Sequence, residues 1–98
     1  MSRIRYKSAA RSDAVAIWRY IARDSPAFAD TMLAHFTEKL ERLADNPMLG
    51  SARVELRPGL RSFAVGNYIL FYAAEEDGII LYRILHAARD VGPIFGVT

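Results

Sequence analysis

The chain predicts an α+β fold with the element order β-αα-βββ: an antiparallel meander with a helical hairpin packed on one face. Three observations predict it. Residues 61–90, RSFAVGNYILFYAAEEDGIILYRILHAARD, hold three short runs rich in Ile, Val, Phe and Tyr, separated by two turn signals. Apolar side chains recur at helical spacing on both sides of Asp24-Ser25-Pro26. Ahead of them, Ile4, Tyr6 and Ser8 alternate with Arg3, Arg5 and Lys7.

That alternation predicts a short first strand whose basic side suits a sheet edge guarded against aggregation. Ser8 is the expected cap of a helix reaching about Asp24, with Ala10, Ala14, Ile17, Trp18 and Ile21 as its apolar stripe. Arg11, Arg19 and Arg23 fall elsewhere on that helix. Ser25 is a good N-cap, and Pro26 sits at the first helical position, where a missing N–H goes unused. The second helix is expected to reach about Ala44, burying Ala29, Met32, Leu33, Phe36, Leu40 and Leu43 and turning Glu38 and Glu41 outward. Asn46-Pro47 ends it, because the residue before proline resists the helical region. So short a link makes the two helices an antiparallel hairpin. Pro47–Leu60 reads as an irregular connection holding Gly50, Pro58 and Gly59.

The meander is expected over Arg61–Val65, Tyr68–Ala73 and Ile79–Leu85. A two-residue turn at Gly66-Asn67 sets Val65 opposite Tyr68, Phe63 opposite Leu70 and Arg61 opposite Tyr72. Asp77-Gly78 closes an acidic loop that begins at Glu75. One face then carries Arg61, Phe63, Val65, Tyr68, Leu70, Tyr72, Leu81, Arg83 and Leu85. The other carries Ala64, Ile69, Phe71, Ile80, Tyr82, Ile84 and His86.

Length and composition bound the function. Ninety-eight residues make one domain with a real core and no room for a second. Hydrophobic residues at 52% and charged residues at 24% argue against disorder. With no cysteine there is no disulfide framework and no thiolate site, and His35 and His86 lie too far apart to read as metal ligands, so no metal or cofactor is expected. No apolar run approaches a membrane span and no signal peptide is visible, so the cytoplasm is the expected compartment. A net charge of +2 is too small to announce a nucleic-acid binder. Only Lys7 and Lys39 are lysines among the 13 cations. Arginine suits bidentate contacts with carboxylate or phosphate, although a GC-rich genome produces the same bias.

Both sheet faces are mostly apolar, and one hairpin covers one of them. The face with Ile69, Phe71, Ile80 and Ile84 holds no arginine and is expected to take the helices. The face with Arg61, Tyr72 and Arg83 is then open, and its Phe63, Val65, Leu70 and Leu81 form an apolar patch that marks a partner site. Self-dimerisation, or closure by the carboxyl-terminal tail with Phe95 pinned to the body, is the alternative. On the first expectation, Leu81→Asp or Phe63→Asp weakens partner binding without unfolding the core.

Residues 67–72, NYILFY, and 84–90, ILHAARD, resemble the ParE branch of the RelE/ParE toxin superfamily. Asn46-Pro47-Met48-Leu49-Gly50 and Arg57-Pro58-Gly59-Leu60-Arg61 match its P-x-x-G and R-x-G-L-R segments, and Tyr20-Ile21-Ala22 ahead of Asp24-Ser25-Pro26 fits its first helix. The likeness covers nearly the whole chain, and the succession of motifs is more specific than any one of them. The resemblance implies the toxin of a type II toxin–antitoxin, plasmid-stabilising pair, neutralised by a ParD-like antitoxin and touching operator DNA only through it. ParE-type members are described as poisons of DNA gyrase, whereas RelE-type members cut messenger RNA on the ribosome. Antitoxin binding is expected at Phe63, Val65, Leu70, Tyr72, Leu81 and Arg83. Target binding is expected at Arg53, Arg57, Arg61, Arg83, His86 and Arg89.

A ribonuclease needs a base, an acid and cations for the developing phosphate charge. His86 is the side chain here that moves a proton near neutral pH. The register sets it on the face opposite Arg61 and Arg83, no lysine follows Lys39, and Phe95 cannot transfer a proton. A non-enzymatic gyrase-binding toxin is therefore favoured, with a RelE-type messenger endonuclease as the alternative and a non-toxic antitoxin-binding regulator as a third reading. Arg83 beside Tyr72 equally suits a structural cation–π contact, and Arg89 with Asp90 suits anchoring of the tail.

Overall fold

In the computed structural model, which describes residues 2–97, the helical hairpin forms as predicted but lies on the opposite face of the sheet. The elements are β1 (Arg3–Tyr6), α1 (Ser8–Ala22), α2 (Pro26–Asp45), β2 (Ser51–Ala52), β3 (Leu60–Val65), β4 (Tyr68–Glu75) and β5 (Gly78–His86). One five-stranded sheet has the order β1-β5-β4-β3-β2. β1 runs parallel to β5 at one edge, and the remaining pairs are antiparallel. The α+β class and the meander stand. The short β2, inside the segment expected to be irregular, makes a fifth strand.

Local chemistry accounts for the boundaries. Ser25 caps α2 through its Oγ, which accepts the Phe28 N–H at 3.1 Å, and Pro26 follows it. Ser8 does not cap α1: Lys7 holds the cap position without a side-chain bond, and Ser8 lies in the first turn. Its neighbour Lys7 is still tied to the sheet by its N–H on the Leu81 carbonyl, so the helix begins one residue early. Gly66 has φ +58° and no other residue of that turn has positive φ, the pattern of a type II′ hairpin with glycine first. Glu76-Asp77 forms the second two-residue turn, since Glu75 pairs with Gly78. Gly78 must lack a side chain, because a Cβ there would overlap the Arg3 backbone of β1.

The β3–β4 register is the predicted one. The β4–β5 register holds as far as Tyr72↔Leu81 and then shifts: Phe71 pairs with Arg83, which leaves Tyr82 as the extra residue of a bulge. Beyond the bulge every side chain of β5 changes face relative to the prediction. Ile84 and His86 join Leu70 and Tyr68, while Leu85 joins Ile69.

The face assignment is overturned. Val65, Leu70, Tyr72, Ile79, Leu81 and Ile84 pack with Phe36, Leu40 and Leu43 of α2 and Ala10 of α1. The arginines misled for different reasons. Arg61, at the margin of that face, reaches past the sheet edge to backbone carbonyls, and Arg83 is moved to the other face by the bulge. The second face is not bare either. Leu56, Leu60, Phe71 and Leu85 form a smaller cluster, and Val91, Ile94 and Phe95 of the tail lie on it. Phe95 packs on Phe71 with ring centroids 5.3 Å apart. The tail closes this face and not the Arg61 face, for which such closure was given above as the alternative.

Candidate functional site

The residues expected to bind an antitoxin do not make a surface. Leu70 and Tyr72 are 0% exposed, Leu81 1% and Val65 6%. Phe63 is half-buried against the same core, and Arg83 is held by Asp13. Leu81→Asp would put a carboxylate into the main core and unfold the chain rather than spare it.

The residues expected to bind a target scatter. Arg61 is structural: its Nε and Nη2 donate to the Gly50 carbonyl at 3.0 and 2.7 Å, and Nη2 also reaches the Met48 carbonyl at 3.2 Å. Tyr72 grips the same turn, donating to the Pro47 carbonyl at 2.7 Å and accepting the Gly50 N–H at 2.8 Å. Arg53 lies over the Phe71 ring and donates to Glu55 at 2.8 Å, a bond that holds the Glu55 carboxyl below its usual range. Arg57 stands over Tyr82 on that same face, 4.8 Å from the ring centroid. Arg89 is exposed, and its backbone N–H donates to the His86 carbonyl.

His86 lies close to Arg89 in the chain and is set apart from Arg53 and Arg57. Its Nδ1 accepts the Ala88 N–H at 3.1 Å, and its ring meets Tyr68 edge-on at 5.4 Å. Tyr68 in turn meets Phe36 of α2, so His86 belongs to the helix side of the sheet while Arg53 and Arg57 belong to the other. The structure brings Arg53 and Arg57 to one face and separates both from His86. Among the described residues no group of three or more His, Cys, Asp or Glu is placed to hold a metal ion.

Exposed apolar side chains lie on the hairpin, and also at Met48, Leu49 and Val54 in the connection that follows it. Ala14, Val15 and Trp18 of α1 and Leu33 of α2 line a shallow, almost wholly apolar hollow of about 320 Å³, with Arg19 on its rim. Val15 is 50% exposed. Trp18 donates its indole N–H to Asp30 at 2.8 Å, which ties the helices together and fixes the hollow's wall. Arg11 and Arg19 border the adjoining groove along Val15. A second hollow, of about 540 Å³, opens at the far end of the hairpin, where Tyr20 (69% exposed) and Phe28 (54%) stand beside Met32, Tyr68 and His86. The α1 pattern contained this signal. Val15 and Tyr20 fall off the stripe that packs on the sheet and stay exposed.

Comparison with known proteins converges on one family. The family model described as "ParE toxin of type II toxin-antitoxin system, parDE" matches residues 4–91. Toxin ParE1 of Mycobacterium tuberculosis, found in two strains, is 38% identical over 64 residues, 64% of this chain and 65% of the relative. The match thus spans just under two thirds of that relative's length. Toxin ParE3 of Caulobacter vibrioides is 31% identical over 68 residues, 69% of this chain and 68% of the relative. A solved structure titled "Chromosomal ParDE TA system from P. aeruginosa" superposes with a TM-score of 0.71 at 20% identity, covering 88% of this chain and 96% of that one, and so shares the fold. The chain belongs to the ParE toxin family of type II toxin–antitoxin systems.

Proposed function

We propose that this chain is the toxin of a type II pair, held inactive by a ParD-like antitoxin, and that in the cytoplasm it acts by binding DNA gyrase rather than by cutting RNA. The observation that carries the partner is the uncovered apolar surface of the hairpin around Val15 and Trp18, bordered by Arg11 and Arg19. An amphipathic helix with an acidic flank matches it, apolar side chains entering the hollow and carboxylates meeting the arginines. Operator DNA is reached through the antitoxin.

Binding rather than cleavage is supported by the separation of His86 from Arg53 and Arg57. A general acid–base residue has to reach the same scissile phosphate as the cations that stabilise it, and these lie on opposite faces. Supercoiling assays with purified gyrase, run beside primer extension on translated messages, test the reading. Loss of supercoiling with intact messages is expected. Gyrase indifference with site-specific message cleavage would assign the RelE-type activity, and inactivity in both would leave an antitoxin-binding regulator.

A further inference from the structure

A separate cleft of about 400 Å³ lies where the start of α1 meets β5, on the sheet face away from the hairpin. Lys7, Arg57 and Arg83 line it together with Tyr82, Ile94 and Phe95, and none of its lining residues is acidic. We propose that this cleft binds a phosphodiester of single-stranded nucleic acid. The inference goes beyond the proposed gyrase binding and claims no cleavage of the bound strand.

Charge comes first. Arg83 is neutralised by Asp13 through two hydrogen bonds of 2.7 and 2.9 Å, so it adds little. Lys7 and Arg57 form no salt bridge among the described residues. Both nevertheless hold station over one ring: the Lys7 ammonium lies 5.4 Å and the Arg57 guanidinium 4.8 Å from the Tyr82 centroid. Both line the same cleft, so an anion seated in it is attracted by each.

Geometry narrows the anion. Tyr82, the bulged residue of β5, keeps the Phe71 side of the sheet, where its ring lines the cleft as a scaffold for the two cations. Ile94 and Phe95 supply an apolar wall next to the charge. A phosphodiester with a base turned out of its stack offers both halves, a negative group for Lys7 and Arg57 and an apolar plane for Ile94 and Phe95. A duplex keeps its bases stacked inside, and a carboxylate side chain carries no such plane. The amino end of α1 opens on the same cleft with no acidic residue in its first turn, an addition to the argument and not its basis.

The test is fluorescence anisotropy of a labelled single strand of about eight nucleotides, titrated with the full chain over a salt series. Lys7→Ala and Arg57→Ala are each expected to weaken binding about three- to tenfold and to flatten the slope of log affinity against log salt by roughly one. Arg23→Ala removes the same charge from the other end of α1 and is expected to change neither, with circular dichroism confirming that all three fold. Equal losses in all three variants would reduce the effect to net charge and overturn the site. No binding, preference for a duplex of the same sequence, or tighter binding of a Glu-rich peptide would each overturn it as well.

Discussion

Asp13 of α1 and Arg83 of β5 meet as a fork, Nε to Oδ2 at 2.7 Å and Nη2 to Oδ1 at 2.9 Å, and Oδ2 also accepts the Ile84 backbone N–H at 3.0 Å. The geometry answers a shortage. β1 pairs with β5 only as far as Tyr6↔Leu81, so the edge of β5 beyond that point has lost its neighbour strand. Asp13 takes that strand's place at one N–H and neutralises the side chain alongside. The bond to Asp13 also raises the already high Arg83 pKa, which keeps that partner charged at any pH the fold survives.

Asp13→Ala therefore leaves a half-buried guanidinium and a backbone N–H without acceptors. With the two side chains 14% and 25% exposed, solvent softens the loss, and about 2 kcal/mol of destabilisation is expected. The urea midpoint reads it. An unchanged midpoint would show that water replaces the carboxylate fully.

The turn at Pro47–Leu49 is held from inside by Tyr72 and from outside by Arg61. Gly50 fits because it has no side chain: a Cβ there would strike the Tyr72 hydroxyl and the Ser62 carbonyl. Gly50→Ala is expected to destabilise by about 1–3 kcal/mol through overpacking. Tyr72→Phe is expected to lose a similar amount, about 1–3 kcal/mol, because Pro47 and Gly50 are left unpaired. Thermal melts of the two variants and their double test this; full additivity would mean that they act at independent places.

Tyr68 is partly buried beneath the hairpin, and burial first, then the neighbouring Tyr20, raises its phenol pKa. A folded pKa above the unfolded value of about 10 gives stability that is complete below that pH and lost as the pH rises through the folded value. Tyr68→Phe keeps the ring contacts with Phe36 and His86 and removes the titration. Its stability is expected to fall less steeply above about pH 10 than that of the parent chain, by urea midpoints across the alkaline range. Parallel curves would assign the alkaline loss to other groups.

Much of the fold was legible because local chemistry decides it. Ser25-Pro26 start a helix, Gly66 opens a hairpin turn, and the α2 stripe through Ala29, Phe36, Leu40 and Leu43 buries as its spacing requires. What was not legible depends on distant neighbours. A bulge at Tyr82 has no signature in a run such as ILYRIL, yet it moves Arg83, Ile84, Leu85 and His86 to new faces. Arg61 and Arg83 read as marks of an open face, but long side chains at a sheet's margin find backbone carbonyls or a carboxylate on another element. Lys7 and Tyr82 sit far apart in the chain, and only the parallel pairing of β1 with β5 brings them together.

The central claim is that the chain seals its own sheet and leaves the hairpin for its partner. Calorimetry of the chain with a ParD-like antitoxin tests this most directly, using Val15→Asp in the hollow of the hairpin and Val54→Asp, equally apolar and 71% exposed, in the loop before β3. The account predicts that Val15→Asp weakens binding about tenfold or more while Val54→Asp stays close to the parent. Full affinity in Val15→Asp with loss in Val54→Asp would contradict it and place the partner on the sheet.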